Sequence, residues 1–92
     1  MIRSFRSKPL QRLYERDDPR GLDPTHAQKL RRILFALDAA MGPKDLARPE
    51  LHLHPLKGDL KGFWAVTVRA NWRVWFRFEN ADVHDVDYGD YH

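Results

Sequence analysis

Between His52 and His92 the chain carries four histidines and five lysines or arginines, and these are the side chains best suited to chemistry. Histidine can both take and give a proton near neutral pH. Fixed cations lower the energy of negative charge building on phosphorus. His54 or His92 as a proton-transfer group, with Lys57, Arg69 and Arg73 as charge stabilisers, supplies the parts that metal-free RNA cleavage needs. Those parts are a base for the 2′-hydroxyl, an acid for the 5′-leaving oxygen and cations for the phosphate. A metal site drawn from His52, His54, His84 or His92 with Asp85, Asp87 and Asp90 is the weaker pattern, because His-x-His lacks a defined third ligand. We expect no metal and no other cofactor. For any single histidine, a hydrogen-bonded surface role is the commoner case.

These residues must be held by a sheet. The stretch "VRANWRVWFRF", Val68 to Phe78, sets three arginines into what otherwise reads as strand core. If Ala70-Asn71-Trp72 forms a three-residue loop, Arg69 pairs with Arg73, and Trp64, Val66 and Val68 share an apolar face with Val74, Phe76 and Phe78. Asn71 tolerates the left-handed conformation such a loop uses. Arg69, Arg73 and Arg77 then emerge together on the opposite face, beside Phe63, Thr67 and Trp75. Clustered arginines and aromatics on an exposed sheet suit RNA, since guanidinium groups hold phosphates and aromatic faces stack on unpaired bases. The same pattern also fits arginine stems packing over aromatics on an ordinary wet face. Lys57 and Lys61 of "KGDLKG" are further phosphate contacts, although the spacing is wrong for a P-loop.

Composition sets the outer bounds. A chain of 92 residues, 42% hydrophobic and 32% charged, is expected to fold as one domain spanning 1–92. The absence of cysteine excludes disulfide scaffolds and thiolate zinc sites. No apolar run approaches the roughly 18 residues of a membrane span, and the N-terminus lacks a signal-peptide core, so the expected location is cytoplasmic. Charge is polarised: residues 1–32 carry nine Lys/Arg against four Asp/Glu, residues 33–78 seven against four, and residues 79–92 none against five. The basic body favours an anionic partner such as nucleic acid, and is equally the composition of a solvated surface.

The pattern along the chain reads as α+β: two N-terminal helices on one face of a mostly antiparallel sheet of four to five strands. "IRSF" is a short first strand. Ser7 caps a first helix, with Pro9 in its first turn, and "DDPRG" ends it. Asp23 and Pro24 open a second helix with the stripe Leu30, Ile33, Leu34, Leu37 and Met41, stopped at Gly42-Pro43. "LHLHP" is a strand that places His52 and His54 on one face, Phe63 to Phe78 a hairpin, "ENAD" a turn and "VHDVDY" the last strand, leaving "GDYH" as a tail.

At "LHPLKGDLKGFWAVTVRANWRVWFRF", Leu53 to Phe78, and at the ending "DYGDYH", the sequence resembles the HigB-type toxins of bacterial toxin-antitoxin systems, in the RelE/ParE superfamily. The resemblance covers the whole chain. It implies a RelE-like fold and a ribosome-dependent mRNA endonuclease that cuts mRNA in the A site of the 70S ribosome without a metal. It also implies a ribosome-associated location and a small helix-turn-helix, HigA-like antitoxin as partner, through which alone the toxin meets DNA. The implied functional positions are His54, Lys57, Arg69, Asn71, Arg73, Asp90, Tyr91 and His92. In that reading Arg69 and Arg73 hold the scissile phosphate and His92 is acid or base, with His54 opposite. Tyr91 stacks on or orients a base and Asp90 fixes the tail, while Lys61, Trp75 and Arg77 are RNA contacts that the patterning alone suggests. Gly89 departs from the glutamate of the family pattern "NYEDYH". Basic residues of the helical region, among them Arg3, Arg6, Lys8, Arg12, Lys29, Arg31 and Arg32, would meet ribosomal RNA. Two other readings stand beside this one: a ParE-like gyrase poison, and a non-catalytic RNA-binding module.

Overall fold

The computed structural model describes residues 1–90. The first helix, α1, spans Lys8–Arg16. Ser7 caps it as expected, its Oγ accepting from the Leu10 amide at 3.2 Å, and the left-handed Asp17 (φ 52°) ends it. The second helix, α2, spans Ala27–Ala39, and here the expected boundaries need correction. Asp23 caps a turn instead: its carboxylate accepts from the amide and hydroxyl of Thr25 at 2.9 and 2.7 Å, and the helix starts only after His26. At the other end Ala40 turns extended, so Met41 leaves the stripe and is 71% exposed. The remaining stripe residues, Leu30, Ile33, Leu34 and Leu37, are buried.

Four strands follow: β1 (His54–Pro55), β2 (Phe63–Arg69), β3 (Trp72–Glu79) and β4 (Asp82–Asp90), in spatial order β1-β2-β3-β4 and antiparallel throughout. "LHLHP" is not one strand. Leu51 ends a short 3-10 turn, Pro49–Leu51, and His52 is left-handed (φ 48°), so only His54 and Pro55 pair with β2. The N-terminal residues line the outer edge of β4 in parallel, with bridges Ile2 to Val83 and Phe5 to Val86. The strand β4 also runs on through Gly89 and Asp90, which sequence had left in a tail.

One face of the sheet is the main core. Val66, Val74, Phe76, Val83 and Val86 are fully buried there against Leu10, Leu13, Leu30, Ile33, Leu34 and Leu37 of the helices. The opposite, outer face carries a second, smaller cluster, in which Leu56 and Leu60 of the β1–β2 loop cover Phe63, Ala65 and Trp75. Phe63, expected on a wet face, is therefore buried.

Candidate active site

Two departures from regular pairing decide which side chains reach the outer face. The β2–β3 connection is a two-residue turn, Ala70-Asn71, with Arg69 opposite Trp72 and the left-handed residue at Ala70 (φ 51°) rather than Asn71. A bulge between Thr67 and Arg69 absorbs the extra residue, so that Thr67, and not Arg69, lies opposite Arg73. The apolar face stays as expected while Arg69 changes sides. It shares the helix side with its partner Trp72, which packs edge-on to His26 at 5.4 Å and stacks on Tyr88 at 5.1 Å. The Arg69 charge helps to lower the pKa of Asp23 on that side, after the larger effect of the Thr25 hydrogen bonds. The second bulge is on β4, where the left-handed Asp85 (φ 55°) falls between the pairs Trp75–Asp87 and Arg77–His84.

The outer face therefore reads in rows across the strands. His54, Ala65, Trp75 and Asp87 form one row, Thr67, Arg73 and Gly89 the next, and Phe63, Arg77 and His84 the row on the other side. His54 and Arg73 occupy adjacent rows, two strands apart. The Nδ1 of His54 lies 2.9 Å from the carbonyl oxygen of His52, and since a carbonyl only accepts, Nδ1 carries the proton. In the neutral ring Nε2 is then the bare nitrogen, the form a general base requires.

The Nη1 of Arg73 donates to the carbonyls of Ala70 and, at 3.2 Å, of Trp72, which ties the guanidinium to the turn. Its Nε–H is buried and has no hydrogen-bond partner among the described residues. Arg77 is differently placed. Its Nε donates to Asp85 at 2.8 Å and its Nη1 approaches Glu79 at 3.4 Å. The Asp85 hydrogen bond leads in raising the Arg77 pKa and, in return, in lowering that of Asp85. The acidic last segment thus neutralises Arg77 internally, while Arg69 lies near Asp23 and Arg73 is tied to the carbonyls of the turn. Lys57 and Lys61 are exposed at either end of the 3-10 turn Gly58–Leu60, on the loop that crosses the outer face. Asn71 is exposed in the hairpin turn, and Asp90 is exposed opposite Trp72. Tyr91 and His92, the last two expected site residues, lie outside the described residues.

Sequence patterning does not place two neighbours that the structure brings to these faces. Arg6 sits with its guanidinium carbon 5.1 Å from the Phe63 ring centroid, adding a cation to the rim of the outer face. On the helix side His26, only 4% exposed, has Nδ1 2.6 Å from the Tyr88 hydroxyl. Burial first, and the Asp23 charge second, push the Tyr88 phenol up to about 12, so it stays protonated. This pair pins β4 to the start of α2. No periodicity announces it, because His26 stands in the turn before the helix.

Fold and face together define a small basic α+β protein that presents a histidine, an arginine and an indole on a sheet surface. Comparison with known proteins agrees: residues 3–92 match the model for the RelE-like toxin of the type II toxin-antitoxin system HigB. The chain belongs to this family of HigB-like toxins, and an antitoxin is the partner that such a system entails. It is 42% identical over 92 residues to "Endoribonuclease HigB" of Proteus vulgaris, covering 100% of both chains. A solved structure, the conserved hypothetical protein HP0894 from Helicobacter pylori, aligns at 16% identity over 96% of this chain and 94% of that one, with a TM-score of 0.46.

Proposed function

We propose that this toxin is an endoribonuclease, as its Proteus relative is named, that enters the ribosomal A site and cuts the mRNA there without a metal. The observation that carries the reading is the register of His54 opposite Ala65, which sets a histidine with a bare Nε2 on the same sheet face as Arg73 and Trp75. His54 Nε2 takes the 2′-hydroxyl proton as that oxygen attacks phosphorus. Arg73 holds the phosphate and offsets its developing charge. The bond to the 5′-oxygen breaks, leaving a 2′,3′-cyclic phosphate, and His92 protonates the departing oxygen. Lys57 and Lys61 attract neighbouring phosphates, Trp75 receives a base, Tyr91 stacks on or orients a base, and Asp90 fixes the tail. Arg69, on the helix side, acts on more distant RNA or not at all in the chemical step. Outside the ribosome, a helix-turn-helix antitoxin holds the toxin in check.

The test is cleavage of mRNA on programmed ribosomes, with and without chelator, by the parent, Arg73→Ala and His54→Gln. Cutting by the parent that chelator leaves unchanged, and that both substitutions abolish, supports the reading. Growth arrest without RNA cutting, accompanied by DNA damage, would point instead to gyrase poisoning.

A further inference from the structure

Gly89 sits inside β4 with an ordinary extended backbone, so its conformation does not call for glycine. Space does. A Cβ built on Gly89 would stand 3.1 Å from Cη2 and 3.6 Å from Cζ3 of Trp75. The first distance is inside the roughly 3.5–4.0 Å at which carbon atoms rest. Trp75 is directly opposite Asp87, which makes Gly89 its diagonal neighbour, within reach of a large aromatic. The ring also packs against the cluster of Leu56, Phe63 and Ala65, so a movement that relieves the contact at 89 disturbs that packing. It therefore bridges that cluster and β4, ending beside the row that holds Arg73.

We propose that Gly89 is a positioning residue for substrate choice: its missing side chain admits the Trp75 indole against β4, where the ring is the platform for a base next to the phosphate that Arg73 holds. The proposal rests on the nuclease reading. A side chain at 89 lifts the ring, leaves His54 and Arg73 in place, and so changes which base is accepted more than the chemistry itself.

A double-substitution cycle on programmed ribosomes tests this, using a set of mRNAs that differ only in the A-site codon. Gly89→Ala should lower kcat/KM by roughly 5- to 150-fold, the range for loss of one base stack, mostly through KM, and should reorder the codons. Trp75→Leu should do the same. In the Trp75→Leu background, adding Gly89→Ala should change the rate less than about twofold, because the platform is already gone. Tryptophan emission should shift for Gly89→Ala while its thermal midpoint holds. Multiplicative effects of the two substitutions, or an unchanged codon ranking for Gly89→Ala, would overturn the proposal while leaving the nuclease reading intact. A parent that cuts no RNA overturns both.

Discussion

Asp85→Asn would separate the masking of the outer face from its folding. Asparagine accepts the left-handed backbone that Asp85 adopts in the β4 bulge (φ 55°), so the strand keeps its course while the charge that neutralises Arg77 goes. Two magnitudes follow. For binding to single-stranded RNA, freeing one cation should steepen the log-affinity against log-salt slope by about 0.7. Over a fourfold rise in salt that is roughly a further 2.5-fold loss of affinity, and at low salt the variant should bind more tightly than the parent. For stability, Arg77 and Asp85 are 33% and 28% exposed, so solvent screens the pair and the thermal midpoint should fall by no more than about 8 °C at neutral pH. The pH dependence has a definite sign. Asp85 has a lowered pKa when folded, so its contribution is complete above about pH 5 and is lost as pH falls below the unfolded value of about 4. The midpoints of parent and variant should therefore converge in acid. Salt titrations by fluorescence anisotropy and thermal melts from pH 3 to 7 read both effects. An unchanged salt slope would refute the claim that Asp85 masks a cation RNA otherwise meets.

Three further substitutions test other parts of the account. Ala81→Gly should raise the thermal midpoint by about 2–8 °C, since Asn80 and Ala81 both have positive φ (51° and 67°) and relieving alanine there gains about 0.5–1 kcal/mol; an unchanged melt would refute the strain. Asp38→Asn should lower the midpoint at neutral pH, because this carboxylate accepts from the Tyr14 hydroxyl at 2.6 Å and the Ile2 amide at 3.0 Å. The Tyr14 hydrogen bond is the main cause of its lowered pKa, so the deficit should fade below about pH 4; one that persists in acid would count against the charged interaction. His54→Gln should reduce the cleavage rate constant by about 10²–10⁴ with the melt unchanged, and a rate within threefold of the parent would remove His54 as the base.

Much of this was legible in the sequence wherever a local rule and burial agree. Ser7 capped its helix, the α2 stripe through Leu37 was buried, and the apolar face of Trp64, Val66, Val74 and Phe76 held, because a one-residue slip would have turned every one of them to water. The failures cluster where backbone irregularity intervenes. Period two carries no sign of a bulge, so the register implied by the loop put Arg69 beside Arg73, whereas the bulge at Val68 preserves the core and spends its correction on Arg69 alone. Likewise the alternation His52, His54 looked like one strand, but His52 turns left-handed and lends its carbonyl to His54 instead. That change strengthens the site: a strand would have paired both backbones and left the imidazole tautomer open, whereas the turn fixes which nitrogen is free. The Trp75–Gly89 fit was out of reach for a related reason. A glycine in a strand pattern announces that something approaches closely, and only the packed face tells what. The irregular positions, Val68, His52 and Asp85, together with the side-chain gap at Gly89, are thus the ones that aim or mask the groups on the outer face, while the regular ones supply the rigid sheet against which that aiming works.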